Sequence, residues 1–348
     1  MRGAFLTTIK EIAKRAGVSY STVSRALNNK KGVRPDLRGL ISKIADDTGY
    51  FPDSTAKALV KKRLGVLGII ITRTGEFAFQ NPYYSQILMG ISEVATRCEY
   101  NLMLSINEKK SYISLYFRRM VDGLLVIGNR LDDELLVEVE KRKVPAVIVP
   151  GFLEDAKIDL PSVNSENIQS VYRTVNYLLD LGHRKIAFIL GQMNSKYSVE
   201  RFRAYQAAFR DRGLAYDPRY IVESDFSKTD GFRAMGQLLD LTDRPSCVLC
   251  INDSVTPGAL KQISTRGLRI PKDISVVAIG SSETLDLYQP ALTTIKIPVT
   301  QIGQAAAQML IRLMEGETIP ERHIVIPSEL VIRDSTSIWR TQRGEGGG

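Results

Sequence analysis

The chain has 348 residues, of which 44% are hydrophobic, and it carries a formal net charge of +9. Its two histidines and three cysteines argue against a zinc site. The sequence shows neither a signal peptide nor a transmembrane run, so we expect a cytoplasmic protein.

The excess positive charge lies in the first 63 residues. Residues 1–63 contain 14 Lys or Arg and 5 Asp or Glu, a net of +9, whereas the remaining 285 residues balance at 33 against 33. Because phosphate neutralisation dominates affinity for nucleic acids, this segment alone is expected to bind a polyanion. A basic membrane-surface helix is the alternative, but the helices of this segment lack a broad apolar face edged by aromatic residues.

A helix-turn-helix pattern begins the chain. Thr8 and Glu11 have the spacing of a capping box, which predicts that a helix starts there. Gly17 supplies a tight turn, and Ser19 is a suitable cap for a second helix. The apolar stripe of the first helix comprises Ile9, Ile12, Ala13 and Ala16.

The second helix has an apolar face and a polar face. Its inward positions are Val23, Ala26 and Leu27. Its opposite face carries Tyr20, Ser21, Ser24, Arg25 and Asn28. Hydrogen-bonding side chains with one guanidinium suit the base edges and phosphates of a major groove. The alternative is an ordinary two-helix hairpin with a solvated polar face.

The segments TIKEIAKRAGVSYSTVSRALN and GYFPDSTAKALVKKR resemble the head of the lactose-repressor family of bacterial transcription regulators. The resemblance covers nearly the whole chain. It implies a three-helix head, a hinge helix and an effector-binding core, acting as a dimer on a near-palindromic operator, usually as a repressor. By motif match, base-reading positions would be Tyr20, Ser21 and Arg25, and phosphate contacts would come from Thr8, Thr22, Ser24 and Asn28.

A third helix and a hinge complete this region. Pro35 suits a first helical position and Gly49 ends the helix. Its expected apolar stripe is Leu37, Leu40, Ile41 and Ile44. In the family the hinge helix inserts a leucine into the minor groove, and the matching residue is Leu59, with Ala56 beside it. From the residues alone, a flexible basic linker is an equal alternative.

From residue 64 onward, strand and helix patterns alternate. Uninterrupted apolar runs at 65–71, 123–127 and 146–149 are typical of strands buried on both faces. The alternation restarts after Val163, which predicts an α/β fold with two doubly wound parallel sheets in two lobes. The expected domains are a head at 1–52, a hinge helix at 53–63, a two-lobed core at 64–340 and a flexible tail at 341–348.

Two such lobes leave a cleft where small ligands bind outside the carboxyl ends of the strands. Matches to family motifs assign effector contacts to Tyr83, Tyr84, Arg201, Phe226, Asn252 and Asp253. Arg201 is the leading candidate for clamping the ligand, and a solvated helix-face arginine is its alternative reading. The two tyrosines could equally be packing at the rim of the cleft.

One departure from the family bears on the effector. After the ISVV strand the family usually has an aspartate that accepts sugar hydroxyls, but here Gly280 and Ser281 follow, with no acid until Glu283. Pro150 and Gly151 likewise stand where an acid is often found. A cleft that keeps Arg201 but loses its acids favours a sugar acid or sugar phosphate, unless Glu283 or Asp286 reaches in.

The sequence gives little support to catalysis or to a tetramer. His183 and His323 are not accompanied by a nucleophile elbow, a P-loop or a metal-spaced cluster, so we expect no enzyme, cofactor or metal. Cys98, Cys247 and Cys250 are interpreted as structural. The alternatives are a solute-binding protein with a basic N-terminal extension and an α/β enzyme acting on a sugar.

A two-fold operator needs a homodimer, which is expected to form through the outer helices of the lobes. The C-terminus lacks the apolar heptads of a tetramer-forming tail.

Overall fold

The computed structural model describes residues 7–50, 63–106, 112–128, 130–131, 133–151, 158–281 and 283–339. The chain divides into two compact units, Met1–Gly65 and Val66–Gly348. The expected hinge residues Ala56 and Leu59 and the expected tail at 341–348 lie outside the described residues.

The first unit contains the helices that the sequence predicts: α1 (Ile9–Ala16), α2 (Tyr20–Leu27) and α3 (Pro35–Asp47). Gly17 adopts φ +65° between α1 and α2, a left-handed conformation that glycine adopts without steric cost. Ser19 caps α2, because its Oγ accepts the Thr22 N–H at 3.2 Å. The two helices therefore meet through the tight turn that the sequence predicts.

Two details of the head differ from the sequence analysis. Thr8 is the N-cap residue of α1, but the predicted capping box is wrong, since the Thr8 side chain makes no cap hydrogen bond. The Glu11 carboxylate instead accepts from Arg15 at 3.0 Å. Leu40 is 48% exposed, so its expected place in the core is also wrong. The core forms around Ile12, Val23 and Ile41, and it is too small to enclose every apolar position of α3.

Arg38 fixes the end of α2. Its guanidinium donates to the carbonyl oxygens of Ala26 and Lys30, at 3.1 and 2.8 Å, and to Asn29 Oδ1 at 2.7 Å. These bonds join α3 to the end of α2 and to the residues that follow it. An arginine of α3 thereby holds the C-terminal end of the candidate reading helix.

The second unit is built on two sheets, as predicted, and each has six strands. Sheet 1 contains β1 (Val66–Ile71), β2 (Asn101–Ile106), β3 (Gly123–Ile127), β4 (Ala146–Val149), β5 (Ser162–Ser165) and β11 (His323–Ile326). Sheet 2 contains β6 (Ile186–Leu190), β7 (Ile221–Glu223), β8 (Cys247–Cys250), β9 (Ser275–Gly280), β10 (Thr293–Lys296) and β12 (Glu329–Val331). The strand orders are β11-β5-β4-β3-β1-β2 and β12-β10-β9-β8-β6-β7. All pairings are parallel except that of β12 with β10.

Helices cover both sheets, and we call each sheet with its helices a lobe. Those that connect strands of sheet 1 are α4 (Gly75–Gln80), α5 (Pro82–Arg97), α6 (Ile113–Phe117) and α7 (Leu135–Lys141). The later helices are α8 (Ile168–Asp180), α9 (Lys196–Asp211), α10 (Lys228–Leu239), α11 (Val255–Thr265) and α12 (Val299–Met314), with 3₁₀ turns at Pro218–Tyr220 and Glu283–Leu287. Pro82 occupies the first position of α5, and Asn81 caps that helix.

Neither lobe is one continuous segment of chain. The chain leaves lobe 1 after β5, returns after β10 to form α12, and crosses back between β11 and β12. α12 packs against α5 and against β3, β4 and β5 of sheet 1. Lobe 1 therefore needs residues from the end of the chain to cover its sheet.

Paired glycines bring two helix pairs into close contact. A Cβ on Gly90 of α5 would lie 2.0 Å from the Thr300 carbonyl oxygen of α12, and one on Gly303 would lie 2.3 Å from that of Ile87. The same arrangement joins α10 and α11, where a Cβ on Gly258 would lie 2.0 Å from the Lys228 carbonyl oxygen. Only glycine allows these backbones to approach so closely.

The last described residues bind to lobe 2 around a buried histidine. The N–H of Trp339 donates to the Leu181 carbonyl at 2.8 Å, and its indole stacks on the His183 ring at a centroid distance of 5.8 Å. His183 Nε2 lies 3.1 Å from the Ser337 carbonyl oxygen, which can only accept, so Nε2 carries the proton. Nδ1 lies 2.8 Å from Ser246 Oγ. His183 is thus a fully buried packing residue.

Acid is expected to destabilise this attachment. Burial, with a further contribution from Arg184, lowers the pKa of His183 from 6.5 to about 4. The unfolded chain therefore takes up a proton that the folded chain excludes, and stability falls as the pH drops from about 6.5 towards 4. We expect the Tm of the wild type to fall more steeply across this interval than that of His183→Gln. Equal slopes in scanning calorimetry would contradict this assignment.

Candidate ligand-binding cleft and nucleic-acid interface

Most of the polar face of α2 is exposed, whereas Ser24 is half-buried, as is the neighbouring Thr22. Val23 and Ala26 are buried in the head core, whereas Tyr20 on the opposite face is 54% exposed. Ser21, Arg25 and Asn28 are also exposed, as is Thr8 before α1. One face of a single helix thus presents a phenol, a guanidinium and several small polar groups.

The small polar side chains of this face already bond within the head. Ser19 Oγ lies 2.8 Å from Ser21 Oγ and 2.9 Å from Thr22 Oγ1. Asn28 donates its amide to the Ser24 carbonyl at 2.8 Å. These contacts hold the short side chains in fixed positions, so the long Arg25 side chain has the greatest reach from α2.

In the second unit, one cleft of about 690 Å³, including its part open to solvent, lies between the lobes. Its lining residues follow the carboxyl ends of several strands, where ligands bind in parallel sheets. The structure brings all six predicted effector contacts to its wall: Tyr83, Tyr84, Arg201, Phe226, Asn252 and Asp253.

Aromatic side chains meet across the cleft. Phe77 of lobe 1 and Phe226 of lobe 2 are in edge-to-face contact at a centroid distance of 6.0 Å. The hydroxyls of Tyr83 and Tyr197, again from opposite lobes, lie 3.3 Å apart. Phe226 adopts φ +68°, and a Cβ on Gly191 would lie only 1.9 Å from its ring. The Phe226 ring can therefore lie in the cleft only because Gly191 has no side chain.

Arg201 is anchored in the cleft wall and is not solvated, which removes the alternative reading of the sequence analysis. It is 4% exposed. Nε donates to Asn167 Oδ1 at 3.1 Å and Nη1 donates to the Ile251 carbonyl at 2.9 Å, while the guanidinium carbon lies 5.2 Å from the centroid of the Tyr197 ring. Burial lowers its pKa to about 10, so the group stays charged at neutral pH.

Asp253 occupies the space beside Gly280. A Cβ at Gly280 would lie 2.3 Å from Asp253 Oδ1, and the carboxylate accepts the Ser281 N–H at 3.0 Å. The cleft has therefore not lost all acidic groups, although the residue after the ISVV strand is glycine. Asp286 does not reach in, because it forms an ion pair with Arg333 at 2.6 Å.

Asn252 is engaged in local structure. Its Oδ1 accepts the N–H groups of Ser254 and Val255, at 3.1 and 2.8 Å, and so caps the start of α11. Its amide nitrogen lies 3.4 Å from the Phe226 carbonyl oxygen. These bonds hold the end of β8 and the loop that carries the Phe226 ring.

Two buried polar atoms beside the cleft have no hydrogen-bond partner among the described residues. They are Arg73 Nε in lobe 1 and Ser281 Oγ in lobe 2, and both residues line the cleft. Leaving a buried donor without a partner costs about 1–3 kcal/mol, and more for a charged group. A ligand that contacts both residues would compensate this cost.

Several lining residues were not predicted from the sequence. Tyr197 lies one helical turn before Arg201 on α9, so its position relative to the predicted arginine could have indicated it. Arg73 follows β1 at the strand end where ligands bind, which could have indicated it too. Phe77, on the short helix α4, gave no comparable signal.

Neither a metal site nor membrane-spanning character appears in the described parts of the chain. No cluster of His, Cys, Asp or Glu there could hold a metal ion. Cys247 and Cys250 are buried in β8, and burial raises the pKa of the Cys250 thiol to about 12. No helix in the same residues combines the length and the apolar character needed to cross a bilayer.

Comparison with known families matches both units. Residues 8–53 match the family described as bacterial regulatory proteins, lacI family. Residues 175–336 match the periplasmic binding protein-like domain.

Similar proteins of known role match over almost the whole length. The HTH-type transcriptional repressor CytR of Escherichia coli K12 is 31% identical over 334 residues, covering 94% of this chain and 96% of that protein. The repressor PurR of Vibrio atlanticus is 29% identical, covering 95% and 98%. The crystal structure of the Lac repressor dimer, bound to operator and the anti-inducer ONPF, superposes with a TM-score of 0.85 at 27% identity, covering 96% and 100%. These relatives are repressors and not enzymes.

Proposed function

This chain belongs to the lacI family of bacterial regulatory proteins, and we propose that it is a repressor that binds a near-palindromic operator as a dimer under the control of a sugar or sugar derivative. It is a ligand-responsive DNA-binding regulator with a helix-turn-helix head and a two-lobed effector-binding core. The observation that supports the proposed control is the cleft whose two walls come from different lobes. We propose that it acts in the cytoplasm, because its relatives are DNA-binding repressors.

For the head, we propose that α2 enters the major groove. Tyr20, Ser21 and Arg25 would read base edges, and Thr8, Thr22, Ser24 and Asn28 would contact phosphates. Exposure of this face and the +9 charge of residues 1–63 support the proposal. We further propose that Leu59, beside Ala56, acts as a wedge in the minor groove.

For the dimer, the outer surface of lobe 1 offers an apolar face. Met89 of α5 is 51% exposed, and Leu102 and Leu104 of the edge strand β2 are 36% and 42% exposed. An unpaired edge strand that exposes leucines favours association. We propose that this face contributes to the dimer that a two-fold operator requires.

Arg25→Ala is expected to weaken operator binding by about 1–3 kcal/mol and to relax preference at one base pair. Its exposed place on α2 is the reason for expecting a bidentate base contact. Fluorescence anisotropy on operator and on scrambled DNA measures both affinities, and Arg15→Ala, on α1, is the matched control. Equal losses on the two DNAs would make Arg25 a phosphate contact only.

The proposed control is tested by linkage between the two sites. Neutral sugars, sugar acids and sugar phosphates are titrated first against the free protein and then against its operator complex. An effector must change operator affinity by the same factor by which the operator changes effector affinity, typically equivalent to about 1–3 kcal/mol. A sugar that binds equally well with and without operator is not the effector.

A further inference from the structure

Arg73 holds an unusual position in the cleft. It follows β1 at the carboxyl end of the strand and lines lobe 1, opposite the wall that carries Arg201. Its guanidinium carbon lies 5.9 Å from the centroid of the Phe77 ring. An aromatic face binds one side of a guanidinium and leaves its N–H groups to find acceptors in the plane of the group.

The acceptor for Arg73 Nε is missing among the described residues. The atom is buried and has no hydrogen-bond partner there, and the same holds for Ser281 Oγ in the facing lobe. Both residues line the cleft. Two unsatisfied polar groups on opposite walls indicate a ligand that supplies hydrogen bonds to both of them.

The charges of the cleft favour an anion as that ligand. Among the residues that the structure describes, the charged ones that line it are Arg73, Arg201 and Asp253. The Asp253 carboxylate accepts the Ser281 N–H, whereas Arg201 is held by an amide oxygen and a backbone carbonyl that carry no net charge. The planar fork of a guanidinium matches carboxylate and phosphate oxygens better than a single hydroxyl.

We propose that Arg73 binds the effector directly through an anionic group, a carboxylate or a phosphate, while the Ser281 hydroxyl contacts the same ligand from lobe 2. This inference rests on the proposed function, because it assigns chemistry to the same cleft. It adds a binding residue in lobe 1 and restricts the effector to an acid derivative. The aromatic rings of Phe77 and Phe226 would then pack against the carbon skeleton of the ligand.

The first test compares three matched ligands: one hexose, its uronic acid and its 6-phosphate. Isothermal titration with wild type is expected to show at least about tenfold tighter binding of an acid form than of the hexose, since one charge-assisted hydrogen bond is at stake. Arg73→Gln should remove this preference, so that the acid forms and the hexose bind the variant about equally. Arg73→Lys should retain part of it, because the charge survives without the fork. Arg97→Gln, an exposed arginine of α5, is the matched control.

A second test does not depend on the chosen hexose. Inorganic phosphate replaces chloride at equal ionic strength, and the Tm of wild type, Arg73→Gln and Arg97→Gln is compared. Phosphate bound between the lobes stabilises the folded state by mass action. Phosphate should therefore raise the Tm of wild type and Arg97→Gln by more than it raises the Tm of Arg73→Gln. General salting-out by phosphate acts on all three proteins alike.

The outcomes separate this inference from the function on which it rests. Tighter binding of the neutral hexose, or equal phosphate increments in wild type and Arg73→Gln, overturns the anion site. A neutral sugar that shifts operator affinity would overturn the anion site but would leave the proposed regulation intact. Conversely, an acid form that binds through Arg73 without changing operator affinity supports the site and refutes its role as the regulatory effector site.

Discussion

Gly90→Ala is expected to destabilise the core by about 3 kcal/mol, at the upper end of the cost of overpacking. The new Cβ would lie 2.0 Å from the Thr300 carbonyl oxygen and 3.0 Å from the Gln304 nitrogen. Both are backbone atoms of a helix, so no side chain can turn away to relieve the contact. Alanine is the better helix former by about 1 kcal/mol, but separating α5 from α12 outweighs that gain.

Gly75→Ala is the matched control, because a Cβ there has no heavy atom within 4 Å. Urea denaturation followed by circular dichroism should show a lower midpoint for Gly90→Ala and a change within about 0.5 kcal/mol for the control. Since α5 also carries Tyr83 and Tyr84, the same substitution should weaken ligand binding. Wild-type stability of Gly90→Ala would show that the two helices are not in the contact described.

Arg201→Ala is expected to abolish the effector response, with at least about a hundredfold loss of effector affinity if two charge-assisted bonds are lost. The guanidinium is held between Asn167, where the chain passes from lobe 1 to lobe 2, and the end of β8. A ligand that binds it therefore contacts the connection between the lobes. Operator binding without effector should stay almost unchanged, because the head reads DNA with its own residues.

Arg203→Ala is the control, since Arg203 is an exposed arginine of the same helix. Arg201→Lys should keep weak binding of an anionic effector. Isothermal titration gives the affinities, and a Tm for each variant separates lost binding from lost folding. Tight binding of a neutral sugar by Arg201→Ala would refute the assignment of this residue.

Periodicity of the sequence predicted the buried strands β1, β3 and β4 and the restart of the strand–helix alternation after Val163, but it did not predict short elements such as β5 and β7. Strands buried on both faces read as apolar runs, and α2 separates its two faces clearly because one of them packs on a core. The same patterns could not show which lobe α12 and β11 join. Apolar spacing indicates that one face of an element is buried, but it does not indicate which other element covers that face.

Matches to family motifs selected a set of residues that the structure brings together in the lining of the cleft: Tyr83, Tyr84, Arg201, Phe226, Asn252 and Asp253. Their contacts with an effector stay a prediction. The roles of Gly191 and Gly280 could not be predicted, because each gives space to a side chain distant in sequence. The exposure of Leu40 was missed for a related reason, since helical spacing cannot reveal how far a small core extends.

Because the chain crosses repeatedly between the lobes, most of sheet 1 is translated long before the helix that covers it. Sheet 1 begins with β1, yet the helix that covers it and its last strand are translated near the end of the chain. About 150 residues are translated between the end of β5 and the end of α12. At a synthesis rate of about 5–20 residues per second, the surface formed by β3, β4 and β5 therefore lacks α12 for roughly seven to thirty seconds. Throughout that interval on the ribosome the surface of sheet 1 that contacts α12 is uncovered, while the head is already complete. A chaperone that holds exposed apolar strands is therefore expected to associate with the growing core and not with the head.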